Sequence, residues 1–317
     1  KPIFEGNGVM VCGTTGPVGL TKGSRDPNEG YYCIVSRLVN TTGSPHCADQ
    51  GVFENQPLND PNVYKYSLYV SNVFPVPGVV HDLTWTGMTS VALATGSALT
   101  MTNLDTWIGH RGSSLANAHG LSEDSRPVTF DKIHTDDIRA VSVLDGGGPE
   151  YIATGGFDGT LLVSSVSPTG VRQTVGSYAP LKVDKDVIGS IASDARRTGV
   201  FSFTEDCGKL KLFDVRSNMV VLEYESHQPG MFTHSYDGAF KVVCGFERKR
   251  PQDASMEFID LRMVQKKYEA GALAGQRDRH MTAVGNILVS RVDDVTSRYI
   301  SFGMPGFSMW EGDRKSV

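Results

Sequence analysis

The stretch YIATGGFDGTLLVSSV, residues 151–166, decides the fold. Two β-rich runs flank a turn built on Phe157-Asp158-Gly159. Asp-Gly between such runs is a strong short-range signal for a β-hairpin. A lone hairpin is at best marginally stable in water. The rest of the chain must therefore supply apolar surface for it to pack against.

The same shape recurs. VFSFTEDCGKLKLFDV (200–215) repeats strand, acidic-Gly turn and strand, with Asp206 in its turn and Phe213-Asp214 near its end. SVALATGSALTMTNL (90–104) keeps strand, Gly, strand. FKVVCGFERKRPQDASMEFIDLR (240–262) keeps both strands around a longer charged turn and closes on Ile259-Asp260. YISFGMPGFSMWEGD (299–313) ends in Trp310-Glu311, and GVMVCGTTGPVGLT (8–21) is a sixth, weaker copy. Each of the later copies follows another β-rich run: GVVHDLTWTG (78–87), DIRAVSVLDG (137–146), DVIGSIASD (186–194), GMFTHSYDG (230–238) and MTAVGNILVS (281–290).

The spacing sets the architecture. Ser165 and Asp214 are 49 residues apart, and Asp214 and Asp260 are 46 apart. Units of about 40–50 residues, each with period-two strands and an apolar-Asp pair near its end, are the signature of WD40 propeller blades. The expected fold is all-β: a single WD40-type β-propeller domain over residues 1–317. Each four-stranded sheet buries its faces against its neighbours. Six units are recognisable, and the length of 317 residues favours seven at about 45 residues per blade. Residues 33–76 read as an insertion or an irregular blade. Residues 108–128 and 246–255 read as surface loops, and RMVQKKYEA (262–270) as a fourth strand.

In such a blade the turn residues Asp158, Gly159 and Asp206 have a structural task. An Asp there accepts hydrogen bonds from turn amides and from a nearby His, and His134, His227 and His280 each fall just ahead of an inner strand. Asp214, Asp260 and Trp310 mark the ends of third strands, where an aromatic or aliphatic neighbour fills the space between blades.

Composition narrows the function. The net charge is −5, with 21% charged residues, which gives no support for nucleic-acid binding through bulk positive charge. No apolar run reaches the ~18–20 residues that a membrane-spanning helix needs. The five cysteines are scattered, with no C-x-x-C, and are expected to be reduced thiols of an intracellular protein. GNGVMVCG (6–13) is followed by a strand, whereas a dinucleotide fingerprint opens a helix. P-loop, zincin and nucleophile-elbow strings are absent. His110 and His119 share one loop, and VDKD (183–186) and VDDV (292–295) pair carboxylates; all are read as solvated turns. The expectation is a non-enzyme without cofactor or metal.

Four segments, DPNEGYY (26–32), GVVHDLTWTG (78–87), HTDDIRAVSVLDGG (134–147) and VFSFTEDCGKLKLFDVR (200–216), together and in this order resemble the WD-repeat subunit family of the methylosome. The match covers about half the chain. The resemblance implies a non-catalytic scaffold, cytoplasmic and nuclear, in a hetero-oligomer with the protein arginine methyltransferase that makes symmetric dimethylarginine. It implies that the scaffold helps present substrates such as histone tails and Sm proteins. The family's first-blade turn carries an aromatic, whereas GTTGPVGL (13–20) has none. The alternative is a propeller subunit of a trafficking, nuclear-pore or chromatin assembly, or a peptide reader. Rigid blades present loops to partners, with aromatics and Arg as anchors. The expected anchors are Trp107 with Arg111, and Phe246 with Arg248.

Overall fold

The computed structural model describes residues 7–13, 30–40, 66–86, 90–103, 127–144, 151–166, 172–179, 186–193, 199–226, 229–238, 240–247, 256–262, 284–291, 296–303 and 306–313. These residues contain 21 strands in six antiparallel sheets and no helix. The chain divides into two compact units, Lys1–Ile133 and His134–Val317.

The first unit holds two sheets. One joins β1 (Asn7–Gly13), β2 (Tyr31–Asn40) and β3 (Tyr66–Val76) in that order. The other is β4 (Val80–Trp85), β5 (Ser90–Thr95), β6 (Ala98–Asn103) and β7 (Val128–Phe130). The expected partner of residues 8–13, residues 17–21, lies outside the described residues; β1 pairs along its length with β2, from Asn7 against Val39 to Gly13 against Cys33. Both ends of the 33–76 stretch lie in paired strands, β2 and β3. Val128, expected at the end of a loop, opens β7.

The second unit holds four sheets. Two have four strands: β8 (Ile138–Val143), β9 (Tyr151–Gly156), β10 (Leu161–Val166) and β11 (Arg172–Tyr178); then β12 (Ile188–Ser193), β13 (Val200–Glu205), β14 (Lys209–Asp214) and β15 (Met219–Glu225). Two more show three strands among the described residues: β16 (Met231–Tyr236), β17 (Lys241–Phe246) and β18 (Met256–Asp260); then β19 (Val284–Arg291), β20 (Thr296–Gly303) and β21 (Gly306–Asp313). The proposed fourth strand at 262–270 lies, but for Arg262, outside the described residues. The inner strand β12 packs against both β8 and β16, and β16 packs against β19. First strands of successive sheets are therefore neighbours, a propeller-like arrangement.

Burial follows strand position. The second strands are buried on both faces: β13 throughout, and β5, β9 and β17 at every residue but the first. The outer strand β15 alternates strictly between exposed and half-buried residues. A strand hidden on both faces needs a neighbour on each side, so these sheets must be layered. Phe213 shares one core cluster with Leu161, Val163 and Ile188, and Ile259 shares another with Val242, Leu210 and Leu212, so each cluster joins a sheet to the preceding one. Burying a side chain of this size stabilises by about 1.5–3 kcal/mol.

The hairpin turns share one design. In the opening stretch Gly159 N–H donates to Gly156 C=O at 3.1 Å, and Gly156 N–H donates to Thr160 C=O at 3.2 Å. Only Gly159, with φ of 71°, is left-handed there. This is a type I turn closed by a glycine bulge, not the two-residue primed turn that Asp-Gly most often signals. Gly208 repeats it, with φ of 97° and a 2.9 Å bond to Glu205 C=O.

A second repeated device is invisible in composition. In five inner strands the ladder skips one residue just after the start: His81, Arg139, Gly189, Phe232 and Gly285. Such bulges bend a strand and re-aim side chains. Gly189 also sits where two inner strands come close, since a Cβ there would lie 2.7 Å from Met231 O. Gly189→Ala must push β12 and β16 apart. It is expected to lower unfolding free energy by about 1–3 kcal/mol, read by urea denaturation with circular dichroism.

Candidate partner-binding surface

The N-terminal ends of the inner strands and the turns after the second strands lie at the same end of each sheet. A recurring backbone bond ties them: Phe157 N–H to Asp137 O at 2.9 Å, Asp206 N–H to Val187 O at 3.1 Å, and Glu247 N–H to Gly230 O at 2.7 Å. In the first unit Gly96 N–H donates to Val79 O at 3.0 Å in the same way.

Asp158 anchors one such end. Its carboxylate accepts from Thr135 N–H at 3.0 Å, Thr160 N–H at 3.0 Å and Thr160 Oγ1 at 2.6 Å. His134 Nδ1 lies 3.1 Å from it, while His134 Nε2 lies 2.9 Å from Thr154 Oγ1. A carboxylate only accepts, so Nδ1 carries the proton and Nε2 accepts from the threonine. Burial alone would raise the Asp158 pKa; the donors from Thr160, His134 and Thr135 outweigh it and hold it at about 2. Burial lowers the His134 pKa despite the neighbouring carboxylate. Gly159 completes the end: a Cβ there would sit 2.8 Å from Asp186 O of the next sheet.

Polar chains cross between sheets. Fully enclosed His234 meets Ser190 Oγ at 2.6 Å and Ser202 Oγ at 2.7 Å. Ser202 spends its proton on Ala192 O at 3.2 Å, so it accepts from His234 Nε2, and His234 Nδ1 accepts from Ser190. Burial depresses this imidazole to about 3 and keeps it neutral. Asp237 accepts from Ser297 and Tyr299, both at 2.6 Å. Lys211 Nζ bonds Glu205 at 2.8 Å and Tyr178 OH at 2.7 Å. Burial would lower that ammonium, but Glu205 and Tyr178 hold it above its ordinary range.

Asp214 and Asp260 play matching parts 46 residues apart. Each Oδ1 accepts from the backbone N–H and Nε of the arginine two residues on, Arg216 or Arg262, at 2.9–3.0 Å. These exposed forks pin the turn after the third strand. Trp310 lies in β21, in register with Tyr299.

The expected anchors fare differently. Trp107, Arg111 and Arg248 lie outside the described residues. Phe246 is a correction: it is 0% exposed and belongs to the core cluster that holds Met231, Leu210 and Val242. It ends a second strand, and those strands are buried on both faces, so it is not available as a surface anchor.

The surface has an arginine–aromatic cluster that sequence reading missed. Arg139, the bulged residue of β8, stands 5.5 Å from the Phe157 ring centroid and 5.0 Å from that of Phe232. Phe157 is exposed. Phe232 is the bulged residue of β16, and the bulged residue of β12 between them is Gly189, which has no side chain to obstruct the reach. At the same end of the sheets stand Asp136, Asp137, Asp186 and Asp206, all exposed or half-buried. Cys207 at the same end is a poor nucleophile: burial, then Asp186 and Glu205, push its thiol up to about 12. Among the described residues no three His, Cys, Asp or Glu side chains group as metal ligands.

Two expectations follow. Asp158→Ala strands His134 and two backbone donors, and should cost about 2–4 kcal/mol, measured by chemical denaturation. His134 and His234 are both neutral when folded, so the unfolded chain binds protons first as pH falls below about 6.5. Their contribution is complete above that pH and is lost as pH falls towards about 3 for His234. His234→Asn should flatten the slope of unfolding free energy between these limits; an unchanged slope would contradict the assignment.

No family model matches this chain, and no curated protein matches it. Matches to 1255 chains of solved structures mark a widely used fold rather than one function. One of them, in the crystal structure of a mitotic checkpoint complex, aligns with a TM-score of 0.52 and 13% identity, over 75% of this chain and 66% of that one. Identity this low speaks to fold alone, and this chain spans just under two thirds of the other's length. With the layered sheets, the repeated inner-strand bulges and the His134–Asp158 turn, it supports a WD40-type β-propeller fold.

Proposed function

We propose that this protein is a non-catalytic interaction scaffold whose blade ends bind protein partners. The observation that carries the reading is the cluster of Arg139, Phe157 and Phe232 held at the ends of rigid sheets. Arginine and aromatics are the residue types that dominate binding energy at interfaces. Two fixed strands and a hydrogen-bonded hairpin turn hold them with less of the ordering cost that a long loop would incur on binding.

The finer reading is an adaptor for a protein arginine methyltransferase, cytoplasmic and nuclear, that helps present substrate proteins for symmetric dimethylation. What supports it is the ordered set of four segments at 26–32, 78–87, 134–147 and 200–216. In this reading the fold is one seven-bladed domain over 1–317, and Trp107, Arg111 and Arg248 join the contact surface. Affinity purification of the full chain from its own cells, followed by mass spectrometry, tests this directly. Recovery of an arginine methyltransferase, reduced at least tenfold by Trp107→Ala with Arg111→Ala, is the expected result. Consistent recovery of coat, pore or chromatin subunits in its place would reject the adaptor role and keep the scaffold.

A further inference from the structure

Among the described cations of the second unit Arg139 stands apart, since even Arg172, which has no carboxylate, donates to Ser164 and Thr174. Lys211 is neutralised by Glu205, Arg216 by Asp214 and Arg262 by Asp260. Among the described residues no carboxylate pairs with the Arg139 side chain, and its Nε is buried with no hydrogen-bond partner. What holds it is two aromatic faces, Phe157 at 5.5 Å and Phe232 at 5.0 Å. Ring faces attract a cation but do not accept its N–H groups along the plane of the guanidinium. A buried donor left without an acceptor is destabilising.

We infer that Arg139 is a docking point for the carboxylate of a partner peptide, an Asp or Glu side chain flanked by Lys or Arg. The inference rests on the scaffold reading and specifies its partner. A carboxylate matches the outer end of the guanidinium and accepts two parallel bonds from its two terminal Nη groups, while the buried Nε stays inward. Phe157, exposed at the rim, adds apolar contact beside that pair and shields it from water. The basic flanks follow from charge: Asp136, Asp137 and Asp186 stand at the same end of the sheets. They repel a dianionic phosphate more strongly than a single carboxylate, and they attract neighbouring Lys or Arg.

The site is built by the bulges. In each inner strand the bulged residue is the one re-aimed out of the ladder. The three successive bulges of the second unit supply a cation, a gap and a ring: Arg139, Gly189 and Phe232.

The test uses the full chain as bait for a surface-displayed library of random 12-residue peptides. Enriched peptides should share one Asp or Glu with basic neighbours. Changing that acid to its amide should weaken binding at least tenfold, as expected for a charge-assisted bond, when measured with synthetic peptides. Against Arg139→Gln the same change should have little effect. Arg139→Lys, which keeps the charge and loses the fork, should recover only part of the affinity, and Phe157→Ala should weaken binding while leaving the thermal midpoint in place. The inference is overturned if no peptide enriches or if enriched peptides lack an acid. It is also overturned if the amide costs the same in both backgrounds, or if phosphoserine at that position binds more tightly than Glu. Failure here leaves the scaffold role to be read independently from co-purification.

Discussion

The structure depends on second strands that have no solvent side. A sheet whose β9, β13 or β17 is hidden on both faces cannot exist alone, and each must lie between others. The hydrophobic area so removed from water is the main favourable term. Spacing between sheets is then fixed at their inner edges, where Gly155 receives Ile188 of the next sheet and Gly189 receives the backbone of β16. Adding a methyl group at either place would separate layers that are stable only in contact.

Polar groups divide into two kinds of work. Asp158 with His134, and Asp214 and Asp260 with their arginines, fix turns within one sheet. His234, Asp237 and Lys211 span two sheets. Each of these crossings is satisfied, since a polar group left unpaired in such a layer costs more than its bond returns. They therefore specify which sheets meet and in what register, while apolar packing supplies most of the stability.

Much of this was legible in the sequence. Period-two runs broken by Asp-Gly or its equivalents located β9 with β10 and β13 with β14, and the apolar-Asp pairs set the repeat. The five β-rich runs preceding the hairpins are the inner strands β4, β8, β12, β16 and β19. What escaped has physical causes. The partner of β1 lies 17 residues on, at β2, and a turn-based reading favours nearer partners. Phe246 beside ERKR looked like a loop residue, but a charged neighbour says nothing of a strand's last inward position. The bulges carry no residue signature at all: His, Arg, Gly, Phe and Gly occupy them. The Arg139 cluster therefore had no sequence signal, because Arg139 and Phe157 come from one sheet and Phe232 from another that is not the next in the chain.

Mutual dependence of the layers is most directly read by native-state hydrogen exchange of the inner and second strands of the unit His134–Val317. The account predicts that amides of β8, β9, β12, β13, β16 and β17 open together, with one shared free energy and one shared denaturant dependence, while the outer strand β15 exchanges earlier. Separate opening energies for the individual sheets, each protected without its neighbours, would contradict it.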